Sequence, residues 1–474
     1  MSFRPSATLV CWLLFTGCSA EPESLPPQGQ ILLFIATDAP LPPAPGTSLD
    51  PLDPPPLFDH LRIDVGSSQQ LDDDDAPVRR DFAVHRGLFQ NGPISIGIAP
   101  PTHESGFAAR ARLYRAANAR AGLPAPSSCI DQTLLLPTVD VDGIKRLRVT
   151  LRVDDTEHPG VIEQPVSAEA APTEAAVGSW PGAAAVPCGE PPQAGEICVP
   201  GGAFWMGDPE LKNDTDVQDA EREHLVVVSP FFIDTHEVTV AELRAAQAEL
   251  SAAQAPLPPF WSGSNRGLAE DDYSTFTLQA SDEDPADTQA ALPVNAVVWE
   301  TARAYCQARG RDLPSEAMFE FMASGRGREQ RYVWGDDSPN CDDAVAARAG
   351  FGVYATFEGA CRPSGNPGGV LPAGGGSRDR LALDPNSEND VLDLAGNLSE
   401  WMLDWFNAED EGVWATAGVQ TDPVALDVGR LGARRAVRGG SWRGRYVELR
   451  AAARVGRDPT AENRSLGFRC ARRP

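Results

Sequence analysis

Eight consecutive residues, Asp393-Leu394-Ala395-Gly396-Asn397-Leu398-Ser399-Glu400, place two carboxylates around a Gly-Asn step. Hard cations such as calcium take several oxygen donors, and glycine lets a backbone curl to present its carbonyls. The plainer alternative is a structural turn whose carboxylate bonds backbone amides. A second run, Arg438-Gly439-Gly440-Ser441-Trp442, is followed by Arg443, Arg445, Tyr446, Arg450, Arg454 and Arg457. Arginine and aromatic residues are the types enriched at binding hot spots. The same side chains could equally complete a core and pair with nearby carboxylates. No cysteine lies between Ser441 and Arg469, so this stretch offers neither a thiolate nucleophile nor a soft metal ligand.

Other chemistries find little support. The histidines (His60, His85, His103, His158, His224, His236) include no i, i+4 pair, and neither a Gly-rich phosphate loop nor a Gly-x-Ser-x-Gly elbow is present. A formal charge of -27 argues against nucleic acid, which needs clustered Lys and Arg. Asp72-Asp73-Asp74-Asp75 reads as a solvated acidic turn, because no ligand spacing accompanies it.

These residues must be carried by two domains joined by a linker, and composition divides the chain accordingly. Met1-Ser2-Phe3-Arg4 and the short apolar run Ala7–Phe15 read as an export signal (residues 1–17), ending in Leu14-Phe15-Thr16-Gly17-Cys18, which has the form of a bacterial lipobox. Cys18 is then the lipidated residue, residues 18–29 a tether, and the destination the outer membrane or another periplasm-facing surface. Alternating runs at 31–36, 61–65, 82–85, 94–98, 109–114 and 147–153 predict an all-β sandwich over residues 30–160. Residues 161–194, rich in Pro, Ala, Glu and Gly, predict a linker. In the last segment, 195–474, Trp299–Arg309 and Ser315–Ser324 are the predicted helices and Ser251–Leu292 a surface loop. Seven cysteines remain after Cys11 and Cys18, which fits an oxidising compartment. Cys341 could clip to Cys361 and Cys188 to Cys198, leaving Cys129 odd.

The order of motifs across residues 195 to 472 resembles the formylglycine-generating (sulfatase-modifying factor) family. They are Val199–Gly207, Pro230–Asp234, Glu237-Val238-Thr239, Pro293-Val294-Asn295, Trp299–Cys306, Arg311–Glu320, Trp334-Gly335-Asp336, Asp393–Trp401, Arg438–Trp442 and Gly467–Cys470. The resemblance implies an α+β domain of C-type-lectin-like fold, so the chain is expected to be mixed, with the β-sandwich read from alternation preceding it. It implies a disulfide between Cys306 and Cys470. It also implies a structural calcium site with the side chains of Asp393 and Glu400 and the carbonyls of Gly396 and Leu398. A second family calcium site is degraded, with Val345 where an Asn is expected.

Activity is a separate matter. The family's oxidases bind copper(I) through two thiols that would fall near Gly444 and within Val447–Arg450, and carry a tryptophan where this chain has Ser399. Copper is therefore not expected, and no catalytic residue is assigned. The iron-dependent branch of the family is set aside for want of its histidine motif. The expected role is binding of a protein or glycan at the cell envelope, with Trp442, Arg443, Arg445 and Tyr446 as the ligand surface. A divergent oxidase or maturation enzyme for exported proteins is the alternative.

Overall fold

The computed structural model describes the chain apart from residues 1–28, 50–52, 101–105, 120–121, 141–142, 170–174, 212–221, 259–273, 276–288, 349–360, 362–368, 384–389 and 409. Cys18, the export signal, most of the tether, His103 and most of the 251–292 segment lie outside the described residues. Two compact units result, residues 1–183 and 184–474.

The first unit holds β1 (Gln30–Thr37), β2 (His60–Ser67), α1 (Ser68–Asp72), β3 (Val78–Ala83), β4 (Ile94–Ile98), β5 (Phe107–Tyr114), β6 (Cys129–Leu135), β7 (Ile144–Leu151), β8 (Gly160–Ile162) and β9 (Val166–Ser167). They form two sheets, β4-β1-β7-β9 and β3-β2-β5-β6-β8. Alternation sets the faces: Ile31, Leu33 and Ile35 of β1 and Leu61, Ile63 and Val65 of β2 are buried. Ile63 and Val65 of one sheet share an apolar crevice with Ile96 and Ile98 of the other.

The opposite face of β2 carries Arg62 and Asp64 in a charged ladder. Arg62 donates to Asp81 at 2.7 Å, while Arg112 donates to Asp64 at 2.5 Å and to Asp74 at 2.9 Å. The acidic run is thus not simply solvated: Asp74 anchors the turn after α1 onto this ladder. Cys129 is a free, buried thiol whose pKa burial pushes up to about 12, which leaves it inert.

The expected linker is partly built into this unit. β8 pairs with β6, β9 pairs with β7, and Trp180 is buried with its indole N–H donating to Asp154 Oδ1 at 2.8 Å. A single large aromatic residue outweighs the Pro and Ala around it, because its burial removes much apolar surface from water.

The second unit contains β10 (Glu196–Val199), β11 (Gly202–Met206), β12 (His224–Val228), β13 (Phe231–Asp234), α2 (Val240–Ala252), α3 (Trp299–Gln307), α4 (Glu316–Ala323), β14 (Arg380–Ala382), β15 (Asp390–Leu392), β16 (Ser399–Trp405), β17 (Gln420–Thr421), β18 (Arg435–Arg438), β19 (Arg454–Arg457), β20 (Leu466–Gly467) and β21 (Ala471–Arg472). Its sheets are short, in the orders β10-β13-β21, β11-β12-β17, β14-β15 and β19-β18-β16-β20. Phe204, Phe231, Phe319, Met402 and Phe406 centre one core; Tyr305, Trp401 and Phe468 centre another.

α2 reaches into the segment expected to be a loop. Its capping box joins Thr239 to Glu242, satisfying amides that a helix start leaves unpaired. Beyond it, Thr275 is buried and its N–H donates to Asn295 Oδ1 at 3.0 Å. Disulfides join Cys188 to Cys198, Cys306 to Cys470 and Cys341 to Cys361.

Candidate functional site

The four-stranded sheet β19-β18-β16-β20 builds a polar cavity of about 250 Å³ at its end. β16 supplies Ser399, the turn after β18 supplies Ser441 and Arg443, and β19 supplies Arg457. Asn463 and Ser465 close the lining. The turn requires its glycines: Gly439 and Gly440 have φ of 96° and 67°, and a Cβ on Gly440 would meet Glu448 O at 2.8 Å.

Behind this wall is a buried ion network. Arg438 donates to Glu316 at 2.9 Å and to Glu320 at 2.6 Å, and Arg454 donates to Glu316 at 2.5 Å. α4 presents both glutamates on one face, its start capped by Ser315, which accepts from Met318 N–H at 3.2 Å. Burial raises the Glu316 pKa, but Arg454 and Arg438 outweigh it and hold the carboxyl low. Asp404 accepts from the amides of Glu316 and Ala425. Burial, then the Glu316 charge, push its pKa up to about 7.

The residues expected to form a ligand surface are divided. Trp442 is 1% exposed, its N–H donating to Asn397 O at 2.8 Å and its indole N–H to Arg464 O at 3.1 Å. It belongs to the core, so its place on a contact surface is withdrawn: a large aromatic ring gains more from burial than from display. Arg443 is exposed and lines the cavity. Arg445 is half-buried near Glu448 at 3.9 Å. Tyr446 turns its hydroxyl towards the Cys341–Cys361 disulfide, 3.2 Å from Cys361 Sγ. Of the other arginines, Arg450 pairs with Asp208 and Arg454 is buried.

The carboxylate loop lies elsewhere in the unit. Asp393 Oδ2 accepts from Gly374 N–H at 2.8 Å, whereas its buried Oδ1 has no partner. Glu400 is gripped by Arg469, whose Nε lies 2.9 Å from Oε1 and 2.8 Å from Oε2; both side chains are fully buried. Two neighbours were not anticipated. Glu237 accepts from Leu398 N–H at 2.8 Å and Asn397 Nδ2 at 2.9 Å, and Asp379 accepts from the amides of Leu394 and Ala395. Glu237 belongs to the Glu-Val-Thr motif and Arg469 to Gly-Phe-Arg-Cys, so both had a signal; isolated Asp379 had none.

Four buried carboxylates thus share one guanidinium. Burial raises the pKa of all four, and those of Glu237 and Asp379 rise furthest, with the Asp393 charge adding to both. A cation fits this excess charge and the unpartnered Asp393 oxygen. Glu400 fits less well, because Arg469 already engages both of its oxygens. Among the described residues no three His, Cys, Asp or Glu side chains are grouped to hold one ion, so any ion here would draw on backbone carbonyls.

The chain is 26% identical over 300 residues to the inactive C-alpha-formylglycine-generating enzyme 2 of Bos taurus, covering 58% of this chain and 87% of that protein. It is 29% identical to the formylglycine-generating enzyme of Streptomyces coelicolor, covering 64% of this chain and 96% of that one. Among solved structures, PvdO from Pseudomonas aeruginosa aligns with a TM-score of 0.40 and 20% identity, over 59% of this chain and 94% of that one. The model of the sulfatase-modifying factor enzyme 1-like domain matches residues 184–474, and the chain belongs to that family.

Proposed function

We propose that this protein is an exported lipoprotein whose sulfatase-modifying-factor domain binds a ligand in the cavity beside Ser441 and does not oxidise a cysteine. One observation carries the reading: among the described residues the cavity is lined by hydroxyls and guanidiniums and by no thiol. Copper(I) needs soft ligands, so serine and arginine cannot replace the missing pair. One relative that is itself named inactive shares this domain. Lipidation at Cys18 would place the domain at the envelope, with the two-sheet first unit, taken as a β-sandwich, as a spacer or second binding module.

A divergent oxidase is the competing reading, and the Cys341–Cys361 disulfide is what favours it. Gly444 O accepts from Ala347 N–H, and Ala347 O accepts from Cys361 N–H, so this sulfur pair borders the place where the first family thiol would fall. Co-expression with a cysteine-type sulfatase, in a host lacking its own modifying enzyme, separates the two. The binding reading expects no sulfatase activity above the empty-vector level; activation would overturn it.

Calcium enters as a stabilising ion held by Asp393 and the carbonyls of Gly396 and Leu398, with Glu400 reserved for Arg469. Calcium at roughly a hundred times its dissociation constant is expected to raise the thermal midpoint by about 5 °C. Asp393→Asn should abolish that rise. An unchanged midpoint in the parent protein would remove calcium from the account.

A further inference from the structure

We infer that the cavity beside Ser441 takes an acidic peptide, with a carboxylate held between Arg443 and Arg457; this rests on the binding reading above. After Ser441, Arg445, Arg450, Arg454 and Arg469 each face a carboxylate of this chain. Arg443 and Arg457 face none among the described residues. Both are exposed, both line the same cavity, and the Arg443 guanidinium lies over the Trp442 ring at 5.6 Å. A guanidinium with no internal carboxylate, set at a cavity wall, is ready to make charge-assisted bonds to a carboxylate.

The surroundings support this sign of charge. Arg438 and Arg454 also line the cavity, and their charges are met from behind by Glu316 and Glu320. Glu448, the one acidic residue of the lining among the described residues, accepts from Arg445 N–H at 3.1 Å. The local surplus is therefore positive on a chain of net charge -27, so this place can attract an anion that the chain as a whole repels.

Three observations favour a peptide over a sugar acid. Among the described residues no aromatic ring lines the cavity to stack on a pyranose face. At about 250 Å³ the cavity is smaller than the roughly 300–1,000 Å³ typical of whole small-molecule sites, so it suits one side chain. β19, which carries Arg457, is the outer strand of its sheet and among the described residues pairs only with β18, so an extended chain added to that edge would run past Arg457. The hydroxyls suit such a guest. Ser399 Oγ donates to Gly440 O and Ser465 Oγ donates to Asn463 Oδ1, so both oxygens keep lone pairs for a peptide N–H.

The test is fluorescence anisotropy of the full chain with a labelled octapeptide containing two glutamates and with its glutamine counterpart. The glutamate peptide should bind about tenfold tighter, and added salt should erase the difference. Arg443→Gln combined with Arg457→Gln should remove the preference without lowering the thermal midpoint, because both side chains are exposed. Arg430→Gln, at an exposed arginine paired with Asp410, should leave it intact. Equal binding of both peptides, or a preference that survives the double substitution, overturns the inference. So does binding of an oligouronate in place of the peptide. Formylglycine production would sink the binding reading itself, whereas a missing glutamate preference without formylglycine sinks the acidic peptide alone.

Discussion

Arg469→Met is expected to destabilise the second unit by about 3–5 kcal/mol, read as a lower urea midpoint. The arginine is fully buried, grips Glu400, and donates to the carbonyls of Leu392 and Asp393 at 2.9 and 3.0 Å. Methionine fills similar space but removes the guanidinium that Glu237, Asp379, Asp393 and Glu400 share. The loss should depend on pH in a definite direction. These carboxyls already have folded pKa values above the unfolded ones, so the fold prefers them protonated, and their contribution falls as pH rises from about 4 through the raised values. Removing the guanidinium raises them further. The deficit should therefore be larger at pH 8 than at pH 5. A deficit that grows towards acid pH would mean that the carboxylates are neutralised in some other way.

The second large effect belongs to the Cys306–Cys470 disulfide, which spans 164 residues of sequence. In the chain-entropy model, closing a loop of that length contributes about 5 kcal/mol, against about 3 kcal/mol for Cys188–Cys198, which spans 10. Cys306→Ser should accordingly cost about 2 kcal/mol more than Cys188→Ser in non-reducing urea titrations. Both sulfurs of the long bridge lie in the core with Tyr305 and Phe468, so packing loss adds to the difference. Equal costs would show that the long loop is already closed in the unfolded chain.

Much of the architecture was legible because it rests on local rules. β1, β2, β4, β5 and β7 follow alternation, and α3 and α4 follow end signals. β6 was missed because Cys129-Ile130-Asp131-Gln132-Thr133 places a polar residue, Gln132, on the buried face. α2 was missed although Thr239 and Glu242 form a readable capping box. The linker expectation failed at Trp180, where one side chain decided what composition could not.

At the site, residue types indicated chemistry but not exposure. Trp442 and Arg443 are neighbours of equally suggestive type, yet one completes the core and the other lines the cavity. Arg454 and Arg457 both reach the cavity from one strand, yet Arg454 is buried against Glu316 and Arg457 is exposed, because residues three apart on a strand face opposite sides. Partners distant in sequence, such as Glu316 for Arg438 or Asp379 for the Asp393 loop, are set by tertiary packing and leave no local trace.

The most direct test of a cavity that binds and does not oxidise is mass spectrometry of a cysteine-containing sulfatase peptide incubated with copper-loaded protein and oxygen. The account expects the cysteine to be recovered without conversion to formylglycine, with the peptide mass otherwise changed only by thiol oxidation that also occurs without protein. Protein-dependent formation of formylglycine, abolished by Ser441→Ala, would contradict it.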